Sequence, residues 1–228
     1  MNLSVVVCAK NSEKTIRGCL ESVQFNNPSE IIVIDGKSTD STVQITDEFT
    51  EKVYSDERKG LAFARQLGSE EAVSEYLVYV DSDVVLLPDS LARMLENMRQ
   101  GGYTGLHAQV ISLENRSYWE WAEDQHFQMM FNREEDTRFI GTIAAIFRRD
   151  AVMEYKFDPV FLGAAKDHDL CHRLRKDSHS LGISSAFAYH QHRATIKSFV
   201  KQRIWYGRGN AVYIWRHKSP MALLGPSL

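Results

Sequence analysis

Little in this sequence could cross-link it. Its three cysteines, Cys8, Cys19 and Cys171, are odd in number and far apart. None belongs to a C-x-x-C pair, which argues against disulfides and structural zinc and for a reducing compartment. Also missing is any apolar window of the 18 or so residues that a membrane-spanning helix needs. The start, "MNLSVVVCAKN", has no basic lead before a long apolar stretch and so does not read as a signal peptide. A charge excess is missing too: a net charge of −3 over 228 residues gives no hint of a nucleic-acid partner. Repeats and low-complexity tracts are absent. What remains is 43% hydrophobic and long enough to bury a core as one domain, or as one domain with an appendage. The end, "SPMALLGPSL", turns apolar again, either as an ordinary tail or as the start of a membrane segment.

The first half alternates two patterns. "LSVVVCAKN", "EIIVIDG" and "YLVYVD" are apolar runs of the kind found in strands covered on both faces. Between them lie helical stretches, the first with Ile16, Cys19, Leu20 and Val23 on one face and Asn11 and Ser12 as its expected caps. "KVYSD" reads as a short strand, and Gly60 is expected to open the helix "GLAFARQLGSEEAV". Pro88 is expected at the first turn of "PDSLARMLENMRQ". This alternation predicts a doubly wound, parallel α/β sheet through about Gln100. Such sheets bind ligands beyond the carboxyl ends of their strands. Asn11, Asp35 and the run Asp81 to Asp83 all follow strand ends, so they should converge on one edge.

The second half is less regular. "GLHAQVISL" and "LGISSAFAYHQH" read as strands, and "RFIGTIAAIFRRDAV" as a strand running into a turn. "YWEWAEDQHFQMMF" reads as a helix whose aromatics, Tyr118, Trp119, Trp121 and Phe127, are expected in the core rather than against a sugar or lipid. A further helix starts near Asp167, and "TIKSFVKQRIWYGRGNAVYIWRHK" is a long basic one.

Several residues suggest chemistry. Asp81, Ser82 and Asp83 form a D-x-D at a strand end, where two carboxylates suit a hard divalent cation that takes its other ligands from water and substrate phosphates. The alternative is a solvated turn. Asp35 could accept hydrogen bonds from a base or ribose, and Arg65 could reach the same nucleotide. Asp167 begins a helix, where the dipole favours the ionised carboxylate that a general base requires. Taken alone, simple capping by Asp167 with first-turn acids is the favoured account. His190 or His192 could complete a metal shell through an imidazole nitrogen. Lys197, Lys201, Arg203 and Arg208 could meet a diphosphate or an anionic membrane, and the glycines of "YGRG" would let backbone approach a ligand.

Taken together, these segments resemble family-two glycosyltransferases of the GT-A fold. "SVVVCAKNSEKTIRGCLESV" is similar to the opening strand and helix of that family, and "IIVIDGKSTDST" to its D-D-G-S-T-D stretch. "KGLAFARQLG" resembles its Gly and Arg segment, "VYVDSDVVL" its D-x-D, and "FDPVFLGAAKDHDLCHRLR" its E-D segment. "YHQHRATIKSFVKQRIWYGRG" resembles its His and G-R-G tail, so the likeness runs over roughly residues 3 to 210. It implies a GT-A, Rossmann-like, mostly parallel sheet, with a nucleotide-sugar half over residues 1–100 and an acceptor half over 101–228.

The resemblance also implies roles. Asp35 and Arg65 would contact base or ribose, with Ala9 and Asn11 alongside. Asp83 would be the main ligand of Mg²⁺ or Mn²⁺, and Asp81 would hold ribose or a metal-bound water. His190, or failing that His192, would join the metal or diphosphate. Ser82, Arg203 and Arg208 complete the expected donor contacts. Asp167 would take the proton from an acceptor hydroxyl during an inverting displacement from a UDP- or GDP-sugar.

Two positions depart from the pattern: Ile34 stands for the first acid of D-D-G, and Lys166 for the glutamate of E-D. Lys166 would either pair with Asp167 or contact the acceptor. Gln202, Arg203 and Trp205 echo the Q-x-x-R-W signature of processive synthases but lie too close together, so one sugar per acceptor is expected. A pyrophosphorylase would need a glycine-rich loop after the first strand, and "CAKNSEKT" has no glycine. The other alternative is a degenerate binding or scaffold protein. The acceptor is expected to be a lipid-linked or cell-envelope glycan, and the location cytoplasmic, at or near the inner membrane face. The oligomeric state is left open.

Overall fold

Strands that are apolar on both faces must be covered on both faces, and the computed structural model meets that demand with one sheet between two helical layers. It describes residues 2–112, 118–131, 137, 139–190 and 195–218. In chain order the strands are β1 (Leu3–Ala9), β2 (Glu30–Asp35), β3 (Val53–Ser55), β4 (Tyr76–Asp81), β5 (Val84–Leu86), β6 (Gly105–Ser112), β7 (Ala144–Arg148) and β8 (Leu181–His190). The helices are α1 (Ile16–Phe25), α2 (Thr42–Thr46), α3 (Leu61–Glu71), α4 (Ser90–Gly101), α5 (Tyr118–Phe131), α6 (Arg149–Tyr155), α7 (Lys166–Lys176) and α8 (Ile196–His217). The sheet runs β3-β2-β1-β4-β7-β6-β8-β5.

Alternation along β1 shows how the layers form. Val5 and Val7 join one core with Ile16, Leu20 and Val23 of α1 and Leu91 and Met94 of α4. Val6 points the other way, into a second core with Ala62 and Ala64 of α3, Val152 of α6 and Leu170 of α7. Leu20 is fully buried, so Leu20→Ala would cost roughly 2–5 kcal/mol.

The expected parallel sheet is present from β3 to β4. Beyond β4 the arrangement is mixed. β7 runs antiparallel to both β4 and β6, β6 and β8 pair in parallel, and β5 pairs antiparallel to β8. β5 was not foreseen: its three residues read only as a continuation of the apolar run after Asp83.

Three local expectations fail. Asn11 and Ser12 do not cap α1, which starts four residues after Ser12 with Thr15 at its N-cap. They instead tie the loop after β1 to the loop after β2 and to the start of α2. Asn11 N donates to Ser38 Oγ at 2.8 Å and Ser12 N to Thr42 Oγ1 at 2.7 Å. Asn11 takes a left-handed φ of 50° there, which asparagine tolerates. Pro88 lies just ahead of α4, whose N-cap is Asp89 at φ 63°. Finally, Tyr118 and Trp121 are 68% and 49% exposed, so the core expectation fails for both. The side chain of Phe127 lies outside the described residues.

Candidate active site

Strand register gathers the acidic residues. Within the parallel layer Ala9 pairs with Asp35 on one side, and Cys8 pairs with Asp81 on the other. Three adjacent strands therefore end together, and β2 and β4 carry Asp35 and Asp81 to one rim, as anticipated. Val84 of β5 pairs with His190 of β8, which brings His190 Nε2 within 3.5 Å of Asp83 Oδ1. The strand missed in the sequence is thus the one that joins the D-x-D to its histidine. His192 lies outside the described residues.

Beside this rim opens a cleft of about 850 Å³, lined by Asn11, Ser12, Asp81, Ser82, Asp83 and Ser198 among others. Ser82 Oγ lies 2.9 Å from Ser12 Oγ, which fixes the middle of the D-x-D against the first loop. Cys8, Lys10 and Leu61 also line a second cavity of about 360 Å³, with Ala9, Gly36, Asp56, Arg58 and Trp205. Asp35 is buried at the edge, and both its carboxylate oxygens accept from Ser38 N. Of the three arginines expected on the donor, Arg208 is exposed, and Arg203 sits with its guanidinium 4.7 Å from the Phe199 ring. Neither lines either of these two cavities.

Arg65 departs from its expected role. It is 1% exposed, lines neither cavity, and donates from Nη2 to Asp81 Oδ1 at 2.6 Å and from Nη1 to Thr142 O at 2.9 Å. It acts from behind the rim, offsetting much of the cost of keeping Asp81 there. Burial and the like charge of Asp83 raise the Asp81 carboxyl above its ordinary value, against the pull of Arg65. Among the described residues no three His, Cys, Asp or Glu side chains gather closely enough to hold a metal by themselves. The set at the rim is smaller: Asp83 with His190, and Asp81 with one oxygen committed to Arg65.

Asp167 opens α7 as expected, although helical geometry begins at Lys166. Its Oδ2 accepts from Thr142 N at 3.3 Å and Thr142 Oγ1 at 3.1 Å, and Lys166 Nζ lies 3.5 Å away. Lys166 is 4% exposed, so of the two roles considered for it the structure realises the pairing with Asp167. Burial works against ionised Asp167, but Lys166, then His168 and Arg65, hold its carboxyl far below the usual carboxylate range. Burial in turn lowers the Lys166 ammonium, opposed by Asp167. Asp169, next on the helix, is fully buried against Arg173 and His217, so it fastens α8 rather than serving the cleft.

Thr142 was missed by the sequence reading. It joins the two acidic centres through Arg65 on its carbonyl and Asp167 on its amide and hydroxyl. The only available signal was a polar residue at the head of the apolar run "IAAIF". The glycines of "YGRG" also serve differently from expectation. A Cβ on Gly209 would lie 2.6 Å from Ala164 O, so that glycine lets α8 press on the segment leading to Asp167, while Gly207 faces open space.

The sheet order, two helical layers and acid-rimmed cleft define a class, the GT-A fold. Over 96% of this chain and 80% of the other, the structure superposes with TM-score 0.71 and 16% identity on glucosyl-3-phosphoglycerate synthase from Mycobacterium tuberculosis, crystallised with Mg²⁺ and uridine diphosphate. S. aureus TarS in complex with UDP-GlcNAc matches with TM-score 0.68 and 21% identity over 86% of this chain and 60% of that one. Residues 4–156 match the Glycosyl transferase family 2 model, and the chain belongs to that family. Among curated relatives, the 4,4'-diaponeurosporenoate glycosyltransferase of Staphylococcus haemolyticus is 30% identical over 58% of this chain and 36% of its own length. A dolichyl N-acetyl-alpha-D-glucosaminyl phosphate 3-beta-D-2,3-diacetamido-2,3-dideoxy-beta-D-glucuronosyltransferase of Methanococcus voltae is 22% identical over 93% of this chain and 74% of its own. The chain spans between 25% and 36% of the length of the first three curated relatives it matches.

Proposed function

We propose that this chain carries out metal-dependent, inverting transfer of one sugar from a UDP- or GDP-sugar to a hydroxyl of a lipid-linked or cell-envelope glycan. Residues 1–100 would handle the donor and 101–228 the acceptor. The observation that carries the reading is the convergence of Asp35, Asp81 and Asp83 on one rim, with an ionised Asp167 joined to that rim through Thr142 and Arg65. The set at the rim suits a cation of the Mg²⁺ type, which keeps waters and fills its shell with phosphate oxygens. Asp83, His190 and the second oxygen of Asp81 would hold it, and it would neutralise charge on the departing diphosphate.

The chain's own residues supply the rest. Asp35 and the loop at Asn11 would orient the nucleoside. Asp167 would take the acceptor proton on Oδ1, since Thr142 and Lys166 engage Oδ2. The hydroxyl oxygen then bonds to the anomeric carbon as the bond to the diphosphate breaks, its electron pair leaving with the nucleotide. Lys166 was the one departure favouring a degenerate protein. Paired as it is, it keeps the base ionised.

A screen of nucleotide sugars for hydrolysis, with and without Mn²⁺, tests the donor side. The expected outcome is metal-dependent release of UDP or GDP, lost in Asp83→Asn. Titration with UDP and GDP showing no metal-dependent binding of either would end this reading.

A further inference from the structure

We propose that the outer face of α8 is a docking surface for an anionic lipid bilayer, with the helix lying along the headgroups and the cleft opening beside it. Three observations carry this. First, α8 is 22 residues long and buries none of them, although a helix attached to a domain ordinarily buries one stripe. Second, its exposed side is apolar. Ile196, Val200 and Ile204 recur every fourth residue at 56%, 48% and 54% exposure, and Ala211 and Trp215 extend the strip toward the end, Trp215 at 75%. At 1.5 Å per residue that strip runs for nearly 30 Å. Third, the helix contains no Asp or Glu, and exposed Lys197, Lys201 and Arg208 border the strip on one side.

An apolar strip with a cationic border is the pattern of a helix that lies in the bilayer interface rather than across it. No helix among the described residues is long and apolar enough to cross. The charge selects the occupant. The chain as a whole carries −3, yet α8 contains five Lys and Arg and no acid. Arg216 pairs with Asp158, and exposed Lys197, Lys201 and Arg208 make a cationic border that complements anionic lipid. A second copy packed antiparallel through the same face would set this one-sided cationic border against its own copy.

Near the start of the helix, ring contacts extend the apolar surface: Phe199 meets Trp119 at 5.4 Å and Trp119 meets Tyr118 at 5.5 Å. The position is also apt. Thr195 and Ser198, in the first turn, line the large cleft, and Trp205 lines the second cavity. A helix held at the headgroups would present the cleft to acceptors anchored in that plane. This last point rests on the sugar-transfer reading, whereas the docking itself does not.

The test is sedimentation of the full chain with phosphatidylcholine vesicles and with vesicles that also contain phosphatidylglycerol. Binding is expected to the anionic vesicles only, weakening as salt screens the border. The double variant Val200→Glu/Ile204→Glu should lose about tenfold or more in apparent affinity, and Lys197→Glu/Lys201→Glu should lose the preference for anionic lipid. Both alter exposed side chains, so an unchanged thermal melt will show that each variant is folded. Absence of vesicle binding by the wild type, equal binding to both vesicle types, or wild-type binding by Val200→Glu/Ile204→Glu would overturn the proposal. So would a dimer that Val200→Glu/Ile204→Glu dissolves without any vesicle binding. The vesicles hold neither sugar donor nor sugar acceptor, so failure of the transferase reading would leave this result standing.

Discussion

Lys166 and Asp167 show what one substitution in a motif does to the charge beside it. A carboxylate as enclosed as Asp167 would be pushed upward by burial, the largest single influence on it. The adjacent ammonium reverses that push. Lys166→Met should therefore raise the pKa of Asp167, and because the proposed base would work only when ionised, the acid limb of the kcat profile should move to higher pH. The loss of activity would be largest at the acid end of the profile and smallest near pH 8, as a pH series on both proteins would show. Equal losses at every pH would mean that Lys166 acts on the acceptor instead. The sequence flagged Lys166 as a departure, and pairing was one of the two roles open to it. Thr142 was beyond reach, because its link to Arg65 and Asp167 exists only once β7 has run back against β4. The same holds for Arg65: its position in the motif was visible, but not that it would face Asp81 from within.

Elements set these positions through register and close approach. Gly60 marks the start of α3 at φ 97°, and Leu61 N donates to Leu162 O at 2.9 Å. A Cβ on Gly60 would lie 2.7 Å from that same carbonyl. Gly60→Ala should cost roughly 2 kcal/mol, from left-handed strain plus the clash, as a drop in the urea midpoint. His107 on β6 gives a pH-dependent contribution. It is fully buried, and burial lowers its pKa to about 4 from an ordinary 6.5. Between those values the unfolded chain binds the proton and the folded chain does not, so stability rises with pH through that window and is complete above it. The gap amounts to roughly 3 kcal/mol, and His107→Leu should flatten the dependence of the urea midpoint between pH 4 and 6.5. Strands β1, β2 and β4 were legible because burial on both faces leaves an unbroken apolar run. β5 was not, because three residues carry no period, and the antiparallel course of β7 is set by partners far away in the chain.

For the whole molecule, charge is distributed by region rather than by total. The strand ends of the parallel layer gather acids at a rim, while α8 gathers cations with no acid among them. A rim of carboxylates would repel a nucleoside diphosphate, so donor binding and cation binding should depend on each other. Mass action gives a direct measure of that dependence, because a ligand present at 100 times its Kd adds about 2.7 kcal/mol to the folded state. In a chain of this size that corresponds to a rise in Tm of about 5–10 °C. The expected pattern is little shift with UDP alone, a modest one with Mn²⁺ alone, and the full rise only with both. Asp83→Asn should keep the unliganded Tm and lose the joint increment, because its side chain stays 30% exposed and its removal leaves the core intact. An identical rise with UDP in the presence of EDTA would show that the nucleotide is held without a cation, and the acids at the rim would then need another role.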